Sequence, residues 1–234
     1  MIMEFAGTAR PPRMMRLRHR GRPRTAASGS QARLRDGSAV LIRPMRSSDA
    51  PLLAEGFARL SARSRWLRFL TVKNELTPAE LRYLTDIDHH DHEALGALSR
   101  DGRGVGVARY VRDNTNPRAA EIAITIADDW QGQGLGRELL TRLSRRARQE
   151  GIRRFTALVA ADNAAMIALL RTAGGTLADG GSDTVEFEIV LAPAGSARPR
   201  RAVSLLADSM ASRRDDRRRV PHSETRRTRD GLRT

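Results

Sequence analysis

The sequence predicts an α/β or α+β domain over residues 36–191, set between two arginine-rich tails. Three observations point there. Charge is segregated to the ends, the middle alternates strand-like and helix-like patterns, and a glycine-rich loop joins a strong strand to a long amphipathic helix. The 234 residues carry 42 Lys or Arg against 27 Asp or Glu, a formal net charge of +15. Nine arginines face the single acid Glu4 in residues 1–35, and twelve arginines face five acids in residues 192–234, so the middle holds 21 residues of each sign. The basic character therefore lives in the ends.

The elements follow in order. Ala39–Ile42 is a short apolar run and reads as a first strand over 38–44. Asp49 opens a helical pattern through Leu52, Leu53, Phe57 and Leu60, and a second helical piece covers Ser64–Leu70. Thr77-Pro78-Ala79-Glu80 is a capping box with proline at the first helical position, which starts a helix over 78–84. Glu93–Leu98 and Gly104–Val111 read as strands joined by the turn Arg100-Asp101-Gly102. Ala120–Ile126 is a strong strand. From Leu135 to Gln149, Leu135, Leu139, Leu143 and Ala147 recur every four residues, the stripe of an amphipathic helix that Gly151 ends. Phe155–Val159 reads as a buried strand, Asn163–Thr172 as a short helix before Gly174-Gly175, and Thr184–Leu191 as the last strand.

The tails, taken as 1–35 and 192–234, mix Arg, Pro, Gly and Ser with few large apolar side chains. Such segments cannot offset their ordering entropy, so both are expected to be disordered. Val203, Leu205, Leu206 and Met210 permit a short helix over 202–211, marginal alone. The chain has no cysteine, which excludes disulfides and a thiol nucleophile and fits a reducing cytoplasm. No apolar run reaches the roughly 18 residues of a membrane span, and no apolar segment follows the basic start as a secretory signal requires. A cytoplasmic protein without a membrane partner is the expectation.

The chemistry is carried by Trp130-Gln131-Gly132-Gln133-Gly134-Leu135-Gly136-Arg137. Glycines let successive N–H groups turn toward one ligand, and a helix N-terminus adds its positive dipole end, which makes a phosphate cradle. A nucleotide P-loop would need Gly-Lys-Ser/Thr, and no lysine is present there. A dinucleotide fingerprint would need Gly-x-Gly-x-x-Gly and an acid ending the next strand; the spacing of Gly132, Gly134 and Gly136 differs and no acid ends Phe155–Val159.

Gln131-x-x-Gly134-x-Gly136 resembles the Gln/Arg-x-x-Gly-x-Gly/Ala pattern of the GNAT N-acetyltransferases. The preceding strand, the following helix, the next strand and the short helix headed by Asn163 fall in that family's order, so the resemblance covers residues 38–191. Within the superfamily the stretches Leu60–Phe69, Tyr83–Asp88, Ala108-Arg109-Tyr110 and Ala120–Ala123 are most similar to the catalytic domain of bacterial Pat-type protein lysine acetyltransferases. The resemblance implies the GNAT fold, a single mixed, mostly antiparallel sheet flanked by helices, with acetyl-CoA as co-substrate and no metal. It implies that the pantetheine arm pairs with the backbone of Ile124, Thr125 and Ile126. The pyrophosphate would sit on the N–H groups of Gln131, Gly132, Gln133, Gly134, Leu135 and Gly136, and Asn163 would meet the pantetheine region.

Glu121 matches the strand glutamate that acts as general base in Pat-type enzymes. A lysine amine titrates near 10.4 and must lose a proton before it attacks a thioester, and a desolvated carboxylate is suited to take it. The implied acceptor is a primary amine, a protein lysine or a small molecule, attacking directly in a ternary complex. Many members of the family carry a tyrosine near the helix after the second cofactor strand; Tyr83 and Tyr110 are the chain's only tyrosines and neither falls there.

Blander readings stand beside these. Glu121 on a generic strand would simply face solvent, Asn163 would be a helix N-cap, Trp130 a packing residue, and Arg137 a first-turn residue that is either solvated or in touch with a phosphate. Asp88-His89-His90-Asp91-His92 is too tightly spaced for one tetrahedral metal site. The tails read as solvating, compositionally biased extensions; the sharper alternative is non-specific nucleic-acid binding through phosphates, with no aromatic interleaved apart from Phe5. A catalytically silent acyl-CoA-binding module with such tails is the alternative outside the enzyme class.

Overall fold

A computed structural model describes residues 29–192. β1 (Ser30–Arg33) and β2 (Ala39–Pro44) form a hairpin, followed by α1 (Ala50–Ala58), α2 (Ala62–Phe69) and α3 (Pro78–Thr85). β3 (His92–Leu98), β4 (Gly104–Arg112) and β5 (Ala119–Ile126) come next, then α4 (Leu135–Gln149) and β6 (Arg154–Ala160). α5 (Ala164–Thr172), β7 (Thr176–Gly180) and β8 (Thr184–Val190) complete the order. The strands make one sheet in the order β1-β2-β3-β4-β5-β6-β8-β7. Every neighbouring pair is antiparallel except β5 and β6. A parallel pair needs a crossover, and α4 supplies it.

The expected α/β (α+β) class and mixed sheet are what the chain adopts. The core forms where the stripe on α4 meets the sheet: Leu135, Leu139, Leu143 and Ala147 are buried with Ala108 and Tyr110 of β4 and Phe155 of β6. Gly106 of β4 makes this approach possible. A Cβ there would lie 3.0 Å from Ile126 and 3.2 Å from both Leu135 and Leu139. The capping box at α3 closes as its residue types dictate, with Glu80 N–H donating to Thr77 Oγ1 and Thr77 N–H to Glu80 Oε2. Ahead of α1, Arg43 donates two hydrogen bonds to Asp49, at 2.7 and 2.8 Å.

Two strands escape the sequence patterns. β1 lies inside the segment assigned to the first tail, so the boundary at residue 35 is corrected: residues 30–35 are folded. Ser30-Gln31-Ala32-Arg33 carries no apolar signal. Its order comes from backbone pairing with β2 and from Arg142 of α4, which donates to Ser30 O at 3.0 Å and to Gln31 O at 3.2 Å. β7 is exposed along its whole length at the sheet edge, and its residues show no alternation. The remaining tail readings, including the helix considered over 202–211, fall outside the described residues. Among the described residues no helix is long and apolar enough to cross a membrane.

Candidate active site

β5 and β6 pair only over Ala119–Glu121 and Arg154–Thr156. Beyond Glu121 the two strands part, and β5 runs on to Ile126 hydrogen-bonded to β4 alone. Among the described residues, the edge of Ile124, Thr125 and Ile126 that faces β6 has no partner strand, the kind of edge that pairs with an extended ligand. Side chains alternate along β5: Ile122, Ile124 and Ile126 pack on the core, whereas Glu121, Ala123 and Thr125 take the opposite face.

The chain then passes through a short 3₁₀ turn, Asp128–Trp130, into the glycine loop. Gly132 and Gly134 have φ of +75° and +93°, in the left-handed region where a Cβ is costly. Gly134 is the N-cap of α4, and no side chain caps the helix, so its first-turn N–H groups point out from the positive dipole end. The loop is fixed from behind. Gln131 Nε2 donates to Ile126 O at 3.2 Å, Gln133 Nε2 to Asp129 O at 3.0 Å, and Arg35 N–H to Gln133 O at 3.1 Å. Asp128 ties the loop to α2, accepting from Ser61 N–H at 2.9 Å and from Ser64 Oγ at 2.5 Å. Gly136 lets α5 approach, since a Cβ there would lie 3.3 Å from Leu169.

These parts surround a cleft of about 430 Å³. It is lined by Ile124, Thr125, Ile126, Gln131, Gly132, Gly134, Leu135, Gly136 and Asn163, so nearly all the residues singled out from the sequence come together. Gln133 is the exception among the loop residues, because it does not line the cleft. Asn163 caps α5, its Oδ1 accepting from Met166 N–H at 3.1 Å, and lines the cleft as well. Trp130 packs against the core and reaches the same cleft.

Glu121 stands where the splay begins, with part of its side chain exposed. Burial of its carboxyl raises the pKa above the usual glutamate range, the Arg68 guanidinium pulls it back, and Glu186 raises it further. The His cluster serves the fold. Asp88 Oδ1 accepts the N–H groups of His90, Asp91 and His92, while His89 Nδ1 meets the buried Glu93 at 2.7 Å. Neither Tyr83 nor Tyr110 lines the cleft.

Two residues without a role assigned from sequence join the site. Arg35 lines the cleft beside the glycine loop, its side chain 3.5 Å from where a Gly134 Cβ would stand. It was hidden among tail arginines, although Asp36-Gly37, a turn signal whose glycine has φ of +87°, marks the hairpin that carries it. Arg68 of α2 also lines the cleft.

The splayed edge of β5 and the start of α4 lie side by side along one cleft, the arrangement expected from the resemblance to acyltransferase domains. A model of the acetyltransferase (GNAT) family matches residues 61–174. "Acetyltransferase PA5475" of Pseudomonas aeruginosa is 41% identical over 136 residues, 57% of this chain and 73% of that protein. "Acetyltransferase Pat" of Mycolicibacterium smegmatis is 36% identical over 137 residues, again 57% of this chain but 40% of the relative. Among solved structures, the GNAT domain of S. lividans PAT superposes with a TM-score of 0.66 at 29% identity, over 69% of this chain and 96% of that one. The chain belongs to the GNAT acetyltransferase family and is an acetyl-CoA-dependent N-acetyltransferase.

Proposed function

We propose that the domain acetylates the side-chain amine of a protein lysine, by direct attack of the amine on acetyl-CoA in a ternary complex, with Glu121 as general base. The observation that carries this reading is the place of Glu121: the last paired rung of β5 before the splay, exposed to an incoming amine, with its carboxyl pKa raised. The resemblance to Pat-type protein lysine acetyltransferases, in line with the relative named Pat and the S. lividans PAT domain, is the reason for preferring a protein acceptor.

In this reading the pantetheine arm pairs with the free edge of Ile124, Thr125 and Ile126. The pyrophosphate lies against the N–H groups of Gln131 to Gly136, at the dipole end of α4. Gln133 supports that loop from behind, and Asn163 meets the arm from the far wall. Glu121 takes a proton from the ammonium, directly or through water, and the freed nitrogen lone pair attacks the thioester carbonyl. The tetrahedral oxyanion accepts from a backbone N–H near Ile124. The attacking nitrogen gives its second proton to water, collapse breaks the C–S bond, and CoA leaves as the thiolate, whose pKa near 8.5 lets it depart without a tyrosine donor.

A cytoplasmic location, where acetyl-CoA and protein acceptors meet, is part of the same proposal. CoA release with acetyl-CoA and a panel of lysine-bearing proteins and small amines tests the acceptor. Turnover with small amines alone would replace the protein-lysine reading by a small-molecule one, and acetyl-CoA binding without turnover on any amine would leave a silent acyl-CoA-binding module.

A further inference from the structure

A second, smaller cavity of about 90 Å³ lies under α1 and α2, on the face of the sheet opposite α4. Its walls include Leu52, Phe57, Leu60 and Phe69, with Val107 and Thr125 of the sheet as floor. Arg68 and Thr125 line both this cavity and the donor cleft, so the two spaces adjoin at the end of β5, beside the edge proposed to pair with the pantetheine arm. The smaller space holds several water-sized groups.

Its charges do not balance. Arg43 and Asp49 cancel in their two-bond pair. Arg109, 5% exposed, has only neutral hydrogen-bond partners among the described residues: His92 Nε2 at 3.1 Å and Leu84 O at 3.0 Å. Burial first, then Arg109, pulls His92 down to about 4, so its ring is neutral near pH 7. Arg68 is half-buried and makes no hydrogen bond among the described residues. Its guanidinium lies 4.8 Å from the Phe69 ring centroid, and among the described residues Glu121 is the carboxylate that favours its charge. Among the described residues Arg109 therefore has no anionic partner and Arg68 has only Glu121, and Arg68 disfavours the charge of the buried Arg109. A desolvated cation without an anionic partner is costly, and a fork of N–H donors is shaped for a carboxylate.

We propose that this cavity is a carboxylate subsite, in which Arg68 and Arg109 read a negative charge carried by one of the two reacting molecules. The carboxylate is either the far end of a dicarboxylic acyl group on CoA or the α-carboxylate of a free amino-acid acceptor. The inference rests on the acyl-CoA reading of the adjoining cleft. A protein lysine brings no α-carboxylate of its own, so the acceptor source would also decide between the two acceptor classes.

Two paired comparisons test it. Dissociation constants of succinyl-CoA and butyryl-CoA differ by the charge at the fourth carbon, and acetylation of lysine against cadaverine differs by the α-carboxylate. One pair should favour its charged member by about tenfold or more, the range of a hydrogen bond to a charged group. Arg68→Gln should bring that ratio close to one, and Arg68→Lys should keep part of it. Equal values within both pairs overturn the proposal, as does a preference that survives intact in Arg68→Gln. Should Arg68→Gln fail to fold, the wild-type ratios and Arg68→Lys decide alone. Loss of binding for every acyl-CoA would sink the reading of the donor cleft itself, whereas acetyl-CoA binding with no charge preference sinks only the subsite.

Discussion

Glu121 and Thr156 form the last parallel rung between β5 and β6, and the strands separate beyond them. The carboxylate is thus held at the mouth of the splay by backbone pairing on both sides, with Val111 opposite it on β4. Burial raises its pKa and Arg68 opposes the rise. A base works only when deprotonated, so kcat/KM for the amine should climb through an acidic limb lying above the ordinary glutamate range near 4.3. Removing the Arg68 charge disfavours the carboxylate and should move that limb further up. A pH profile of wild type and Arg68→Gln checks both; a limb that moves down contradicts the assigned pairing.

Arg35 donates its backbone N–H to Gln133 O, and its side chain lies against Gly134 at the rim of the donor cleft. Arg35→Ala keeps the backbone bond and removes the guanidinium. Acetyl-CoA affinity should fall by roughly tenfold, and its salt dependence should flatten. Calorimetric titration at two ionic strengths reads both, and an unchanged Kd would place Arg35 outside the phosphate site.

Much of this was legible from the sequence, for identifiable reasons. The donor cleft is built from local signals, because glycines at 132, 134 and 136 stand between an apolar strand and a clean helical stripe. Arg35 and β1 were not legible, since their order depends on Arg142 and β2, partners outside the short window that a pattern covers. β7 failed for a related reason: a fully exposed edge strand has no buried face to impose alternation. The second cavity depends on α1 and α2 lying over β3–β5, a tertiary relation that no spacing of residues encodes.

Gly134 takes φ of +93° at the head of α4. Gly134→Glu forces a side chain into the left-handed region, at a cost of about 1–2 kcal/mol, and puts a carboxylate where the donor phosphates bind. Acetyl-CoA binding should vanish while circular dichroism keeps the native helix content. Retained affinity would mean that the phosphates bind elsewhere.

Asp49 accepts both Nη groups of Arg43, with side-chain exposures of 11% and 17%. These bonds from Arg43, helped by the Arg46 N–H, hold its carboxyl below the usual range against the opposing effect of burial. A depressed folded pKa contributes stability that is present above the unfolded value near 3.9 and is lost as pH falls through the folded value. Asp49→Asn should therefore lower the melting temperature at pH 7 by the equivalent of about 1–3 kcal/mol and flatten its decline below about pH 4. An unchanged acid limb would show that another carboxylate governs it.

The central claim is that Glu121 deprotonates the acceptor amine. The most direct measurement is CoA release by wild type and Glu121→Gln at neutral pH, with acetyl-CoA and the same lysine acceptor, alongside acetyl-CoA binding to both. The expected result is intact binding with transfer slowed by on the order of 10²–10⁴-fold. Full activity in Glu121→Gln would contradict the claim and move the base to another group.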